Sequence, residues 1–311
     1  MRGGNARVVA AALILDALLG EPSERLHPTV WMGRAISACE RPALGLSTAR
    51  SRRAAGVLLA AVLPAAAFLS GRSLLRAAPG GVRPALEAAL ISTTLSLRGL
   101  GAAALSVRPE LADGRLGAAR SRVGEFVGRD TADLSEPEIC RAAVESVAEN
   151  TSDGVVGPMF YGLLFGAPGA LAYKAINTVD SMVGYRNPRH RDLGWAGARL
   201  DDLANLFPAR LTVLAVAASS PSPGKVLATA LRYGPLTASP NAGYAEAAFA
   251  AALNLQLGGT NRYGGVERRG PTLGDGRPPD ADDIGRAEAL MRRACVALAL
   301  AALLLEGGRR G

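Results

Sequence analysis

The sequence predicts a mainly α fold: a multi-pass helical membrane protein with one broken or re-entrant helix and loops facing the cytoplasm. Three observations carry that reading. Apolar runs recur along the chain and alternate with arginine-rich stretches. Period-two alternation of apolar and polar residues, the mark of a half-buried strand, is nearly absent. One apolar run, from Val155 to Ser181, is interrupted halfway by Gly166-Ala-Pro168-Gly169.

The first run, Val8 to Leu19, follows Arg2 and Arg7 and resembles a signal-peptide core. Asp16 interrupts it and no small-residue cleavage site follows, which favours a retained membrane segment. Ala54 to Leu69 comes next, behind Arg50, Arg52 and Arg53. Pro84 to Val107 is long enough to span, although Glu87 and Arg98 lie inside it. Leu203 to Ser219 and Ala294 to Leu305 complete the set. Several fall short of the roughly 20 residues that a span needs, so tilt or local bilayer thinning is expected. The Gly/Pro break reads either as the turn of a re-entrant hairpin or as an ordinary turn between two buried helices. A re-entrant hairpin would return Asp180 to the side where Asp153 began.

Gly/Pro loops are expected at 20–28, 221–224, 234–243 and 258–279, with 266–285 as a flexible loop. No internal repeat is visible, and one helical membrane domain over 1–311 is the expected organisation. A soluble bundle of Ala/Leu-rich core helices is the alternative. By the positive-inside rule the arginine-rich stretches 20–53 and 221–293 both face the cytoplasm, which simple span counting does not accommodate.

The formal net charge is +8, and among 35 basic residues only Lys174 and Lys225 are lysines. Such a balance suits anionic substrates and anionic lipid headgroups. Nucleic acid is not an expected partner, because the arginines are scattered and no basic stretch is interleaved with aromatics. Three separated cysteines and two histidines argue against zinc, haem or a disulfide framework. No Walker A loop, Rossmann fingerprint, G-x-S-x-G or H-E-x-x-H occurs.

Three polar clusters could carry chemistry. Ser135-Glu-Pro-Glu138 is a capping box whose helix should run to about Asn150. Glu145 and Glu149 then lie one turn apart, with Asp153 just beyond. Paired carboxylates at that spacing ask for a cation, and hard oxygen donors suit Mg²⁺. The plainer reading is a solvated face on which Arg141 pairs with Glu145. In the second cluster, Lys174, Asn177, Thr178, Ser181 and Tyr185 form one helical stripe, opposite Ile176, Val179 and Val183. It lines a polar cavity or is the wet face of a surface helix. In the third, Asp201, Asp202 and Asn205 share one face at the mouth of an apolar run, as a metal or substrate site or as the acidic first turn of a helix.

At these residues the chain resembles the adenosylcobinamide-phosphate synthase family of cobalamin biosynthesis. The resemblance rests on Glu145-Ser-x-Ala-Glu149-Asn-x-x-Asp153-Gly; on Tyr173-Lys174 through Asn177, Asp180 and Tyr185-Arg186; and on Arg199-Leu-Asp201-Asp202-Leu-Ala-Asn205 with Arg210. Ser239-Pro-Asn241, Asn261-Arg262-Tyr263, and His27-Pro28 with Arg34 extend it over roughly residues 8 to 300. Glu21 stands where many relatives are expected to carry Asp.

Membership implies an ATP- and Mg²⁺-dependent acid–amine ligase. It would join (R)-1-amino-2-propanol, free or phosphorylated, to the f-propionate of adenosylcobyric acid. The implied catalytic and metal residues are Glu145, Glu149, Asp153, Asp201 and Asp202, with Lys174 also catalytic. The implied substrate-binding residues are His27, Arg34, Asn177, Asp180, Tyr185, Arg186, Asn205, Arg210, Ser239, Asn241, Asn261, Arg262 and Tyr263. The implied setting is the inner cell membrane, with a corrinoid substrate, the lipid bilayer and other corrinoid-assembly enzymes as partners. A membrane transporter or permease for an anionic small molecule is the competing class, since polar stripes and broken helices suit it too.

The apolar runs and flanking arginines predict that the protein sediments with membranes and is released by detergent. Recovery in the high-speed supernatant at ordinary expression would count against every membrane-based reading.

Overall fold

The computed structural model describes residues 4–185 and 187–308. Packing groups them into two compact units, one of Met1–Ser96, Gly157–Leu206 and Ala302–Gly311, the other of Leu97–Val156 and Phe207–Ala301. The first unit begins with α1 (Asn5–Leu19), α2 (Pro28–Leu44), α3 (Ala49–Ala77) and α4 (Arg83–Ser92). The second takes over with α5 (Leu97–Leu105), α6 (Val107–Ala112), α7 (Leu116–Gly124) and α8 (Glu136–Asn150). A π turn, Thr151–Val156, leads to α9 (Gly157–Phe165), α10 (Ala167–Val183) and α11 (Trp195–Ala204) of the first unit. Then come α12 (Leu206–Ala218), α13 (Pro223–Tyr233), α14 (Ala242–Leu253), β1 (Leu257–Tyr263), β2 (Val266–Leu273) and α15 (Ala281–Gly307). The chain is mainly helical, as the sequence indicates.

Several helix ends follow from local chemistry. His27 caps α2 by accepting the Thr29 N–H at 3.2 Å, with Pro28 in the first turn, where proline costs no hydrogen bond. Thr48 caps α3 through the Ser51 N–H at 3.1 Å. The capping box at Ser135 forms as read, Glu138 accepting from both the Ser135 N–H and its hydroxyl, and α8 ends at Asn150. The Gly/Pro break is also present. Gly166 has φ +70°, a conformation that strains other residues, and it divides α9 from α10.

In the first unit α10 packs on α2, α3, α9 and α11. Its apolar face buries Val179 and Val183 against Ile36 and Leu59, and Leu171 and Ala175 against Met32. Tyr173 is fully buried and lies directly over Gly157 of α9, where even a methyl group would overlap its ring.

Among the described residues two stretches are long and apolar enough to cross a membrane, α3 and Arg83–Ala112. The second is divided into α4, α5 and α6, so the uninterrupted 29-residue α3 is the stronger of the two. Val57, Leu58, Val62, Leu69 and Leu74 of α3 are exposed. In an aqueous protein so many apolar side chains on one helix would need a cover; hydrocarbon supplies one.

The Gly/Pro-rich stretch read as loop at 258–279 holds an antiparallel hairpin instead, with Leu257 opposite Leu273 and Tyr263 opposite Val266. Gly264 and Gly265, both at positive φ, make its turn. Only Leu257 and Leu273 of the two strands are buried, so no alternating pattern marks them in the sequence. Residues 266–285, expected as a loop, comprise β2, a turn and the start of α15. The turn is tied down by Arg277, 2.7 Å from the buried Asp283.

The fit of Tyr173 over Gly157 predicts that Gly157→Val destabilises the protein by about 1–3 kcal/mol or more, the range for overpacking a full core. Thermal unfolding should show the loss, and Tyr173→Leu in the same chain should recover part of it.

Candidate functional site

Most of the sequence-selected residues fall into three polar groups, one in the first unit and two in the second. In the first unit, α10 and α11 bring Asn177, Asp180, Asp201, Asp202 and Asn205 together. Asp201 is buried, and its oxygens accept from Asn205 Nδ2 at 2.9 Å and from Asn177 Nδ2 at 3.5 Å. Asn205 in turn accepts from the Tyr173 hydroxyl at 2.6 Å. Tyr161 stacks on Tyr173 and donates to the Ala204 carbonyl at 3.0 Å. Two aromatic rings from α9 and α10 thus fix the amide that orients Asp201.

No cation neutralises Asp201 among the described groups that act on it. Burial, aided by the Asp180 charge, pushes its carboxyl up to about 7. Asp180 is raised too, by burial first and then by Asp202. Asp202 is more exposed and lies 3.2 Å from Arg199.

Lys174 lies on the same helix, one turn before Asn177 and Thr178. Its charge is felt by Glu21, which His27 holds below the ordinary carboxylate range. His27 uses Nδ1 to cap α2, leaving Nε2 to face Glu21 at 3.4 Å. The loop between α1 and α2 therefore adds an acid–imidazole pair near the lysine. Thr178 and Ser181 return their hydroxyl protons to the carbonyls of Lys174 and Asn177, at 2.6 and 2.8 Å. They satisfy their own helix as donors and can only accept from a ligand. Tyr185 is exposed beyond the end of α10, and Arg34 is exposed on α2. Arg186 lies outside the described residues.

In the second unit Glu145 has its cations already. Its carboxylate is buried, 2.6 Å from Arg129 and 3.7 Å from Arg141, and accepts the Gly258 N–H at 2.6 Å. Arg141 also donates to the Gly258 and Thr260 carbonyls, and Arg129 to Asn261 Oδ1 at 2.8 Å. The plainer sequence reading, Arg141 paired with Glu145, is what forms, strengthened by Arg129. Glu149 is exposed, and Asp153 sits in the π turn; such turns recur at functional sites.

Glu246 of α14 joins this cluster. Burial and the charges of Glu145 and Glu149 raise its carboxyl well above the ordinary value. Nearby, Arg262 pairs with Asp133 at 3.1 Å, and Arg268 lies over the Tyr263 ring. Asp130 clasps the hairpin turn through the N–H groups of Gly264 and Gly265.

Arg210, Ser239 and Asn241 come together at the start of α14. Arg210 donates to Asn241 Oδ1 at 2.7 Å and to the Pro240 carbonyl at 3.1 Å, and stacks on Tyr244. Ser239 Oγ accepts from the backbone of Asn241 and Ala242, both at 3.2 Å. These contacts hold the entrance to α14.

Among the described residues no three His, Cys, Asp or Glu side chains converge as a metal cage. Mg²⁺ does not require one, since it uses one or two carboxylates and completes its shell with water and phosphate oxygens. Asp201 with Asp180 meets that requirement. Glu145, matched by two guanidinium groups, does not fit a ligand role. Glu21, Arg129 and Glu246 are the neighbours that sequence reasoning left out of the site. A lone acid in the apolar stretch Ala245-Glu-Ala-Ala-Phe249 was the one available signal.

The family described as CobD/Cbib protein matches residues 9–291 of the chain. A cobalamin biosynthesis protein CobD from Geobacter metallireducens is 45% identical over 309 residues, covering 96% of each chain. Proteins of the same name from Halalkalibacterium halodurans and Sinorhizobium fredii are each 42% identical, again over 96% of both chains. No solved structure matches.

The raised carboxyl of Asp201 predicts a pH-dependent stability in metal-free protein. Between about pH 4 and 7 the unfolded carboxyl loses its proton while the folded one keeps it, so stability falls as pH rises and levels off above about 7. Asp201→Asn should remove this fall: more stable than the parent at pH 8, equal to it near pH 4. Unfolding curves in EDTA across that range check the sign.

Proposed function

The chain belongs to the CobD/Cbib protein family, and on that premise we propose that it forms the amide bond between adenosylcobyric acid and an aminopropanol. The acid partner is the corrin f-propionate, and the amine is (R)-1-amino-2-propanol phosphate or its free form. ATP drives the step. The observation that supports this most is near-complete alignment with cobalamin biosynthesis proteins, combined with a lysine whose charge acts on Glu21 and a buried, raised Asp201 carboxyl in the same unit.

A carboxylate resists attack by an amine until one oxygen becomes a good leaving group. Transfer of the terminal phosphoryl of ATP to the propionate would give an acyl phosphate and ADP. Attack by the amine nitrogen on the acyl carbon then forms the amide, releases phosphate and frees one proton. Asp201 and Asp180 would hold Mg²⁺, which supplies charge neutralisation at the phosphate oxygens. Asn205, fixed by Tyr173, aims one oxygen of Asp201. Asn177 orients the other. Lys174, whose charge acts on Glu21, suits a phosphate oxygen of either substrate. Asp202 is anchored by Arg199, and the proton freed from the amine would pass to water.

The setting we propose is the cell membrane, with more than one pass and with the helix break at Gly166 bordering the polar cluster. That break is also what a permease would use, and an assay of chemistry separates the two readings. Purified protein given adenosylcobyric acid, aminopropanol phosphate and ATP should yield adenosylcobinamide phosphate with stoichiometric ADP and phosphate. No product under any metal condition, alongside counterflow of a corrinoid in vesicles, would favour transport.

Lys174→Ala should raise KM for the phosphate-bearing substrate and lower kcat, each by roughly tenfold or more, as expected for loss of a charge-assisted contact. Lys174→Arg should restore part of both, because a point-charge role tolerates the guanidinium better than a general base does. Parent-like kinetics in Lys174→Ala would remove Lys174 from the site.

A further inference from the structure

Between α2 and α3 lies an apolar groove of about 510 Å³ that the polar site does not use. Its origin is a size mismatch. The facing side of α2 carries small residues, among them Ala35 and Cys39, which cannot fill the space beside the leucines of α3. On α3 the lining residues Ala55, Leu58, Val62 and Ala66 follow helical spacing along one face. From Ala55 to Ala66 the groove runs about 16 Å at 1.5 Å per residue. That is close to the hydrocarbon depth of one bilayer leaflet, roughly 15 Å. The floor is the packed core of Leu59, Ile36 and Val183. The rim continues into the exposed face of α3, which is long and apolar enough to cross a membrane.

One end of the groove is strongly basic. Leu46, which lines it near the α2–α3 turn, accepts a hydrogen bond from Arg52 at 2.8 Å. Arg41, Arg50 and Arg53 flank the same turn, and Arg189 and Arg191 are brought there by the segment before α11. The carboxylates these groups meet are Asp192, 3.0 Å from Arg53 and 3.8 Å from Arg191, and Glu40, 3.0 Å from Arg189. Six arginines thus face two acids, and among the described residues exposed Arg41 and Arg50 have no carboxylate partner. A second copy of the chain would bring the same excess charge to the interface. An anionic lipid brings the opposite charge together with an acyl chain of the right length.

We propose that the α2–α3 groove is a binding site for one acyl chain of an anionic phospholipid, whose phosphate sits among the arginines at the α2–α3 turn. The groove supplies apolar burial to the chain, and the guanidinium groups supply selectivity for the headgroup. The groove's lining includes none of the residues of the carboxylate cluster, and the site does not depend on the reaction proposed above.

The test uses full-length protein purified in detergent and a soluble short-chain lipid, dioctanoyl phosphatidylglycerol, read by the shift in unfolding temperature. Phosphatidylcholine with the same chains and glycerol phosphate alone are the comparisons. The expected result is a saturable upward shift with phosphatidylglycerol, a clearly smaller one with phosphatidylcholine and none with glycerol phosphate. Arg41→Gln with Arg50→Gln should weaken the phosphatidylglycerol response roughly tenfold or more and leave that to phosphatidylcholine unchanged. Val62→Trp, which fills the groove from its open rim, should abolish both responses, and Ala66→Leu serves if that variant does not fold. Equal responses to both lipids, or a phosphatidylglycerol response indifferent to the arginine pair, would overturn the proposal. So would binding of glycerol phosphate alone, or a lipid-insensitive dimer that the groove-filling variant dissolves.

Discussion

A carboxylate taken out of water must acquire a cation or donors, or else surrender its charge, and the polar architecture of this chain follows from that constraint. Each unit meets it differently. In the second unit Glu145 takes two guanidinium groups and a backbone N–H, and the result is a rigid brace: α8, the approach to α8 and β1 are tied to one side chain. In the first unit Asp201 takes only amide donors and lies near a second acid. The first arrangement is complete as it stands. The second leaves electrostatic demand unmet, and a group that remains hungry for positive charge is the better candidate for binding a metal-bound phosphate.

The aromatic pair explains why Asp201 can be held in so costly a state. Tyr173 has no room to move, because Gly157 lies under its ring and Tyr161 stacks on it. Its hydroxyl fixes Asn205, and Asn205 fixes the carboxylate. Packing in the apolar core is thereby converted into orientation at a polar group. A substitution at Gly157, which makes no hydrogen bond to the carboxylate itself, would be felt at Asp201 through three contacts in series.

What the sequence showed, and what it hid, follow the range of the interactions. The capping box at Ser135, the end of α8 near Asn150, the break at Gly166 and the apolar face of α10 were all legible, because each is set by residues within a few positions of one another. Motif spacing also singled out the acids and amides on α10 and α11. It could not show that Glu145 and Glu149 diverge, one buried with arginines and the other exposed, because that depends on Arg129 arriving from outside the helix. Nor could it show Glu21 near Lys174, or Glu246 near Glu145, since those partners are remote in sequence. The hairpin was missed for another reason: its strands are mostly exposed on both faces, so hydrophobic alternation, which reports burial on one side, had nothing to report.

The same logic separates the roles of the two abundant charge types. The arginines occur largely in two settings: as structural braces, as at Glu145 and Asn241, and as excess charge around the α2–α3 turn. Lys174 belongs to neither. It sits on the helix that carries the carboxylate cluster, and its compact ammonium can approach a phosphate oxygen without the planar fork that a guanidinium would impose on its neighbours. The lysine follows Tyr173 on α10, and the burial of that tyrosine in the core gives the charge a fixed base.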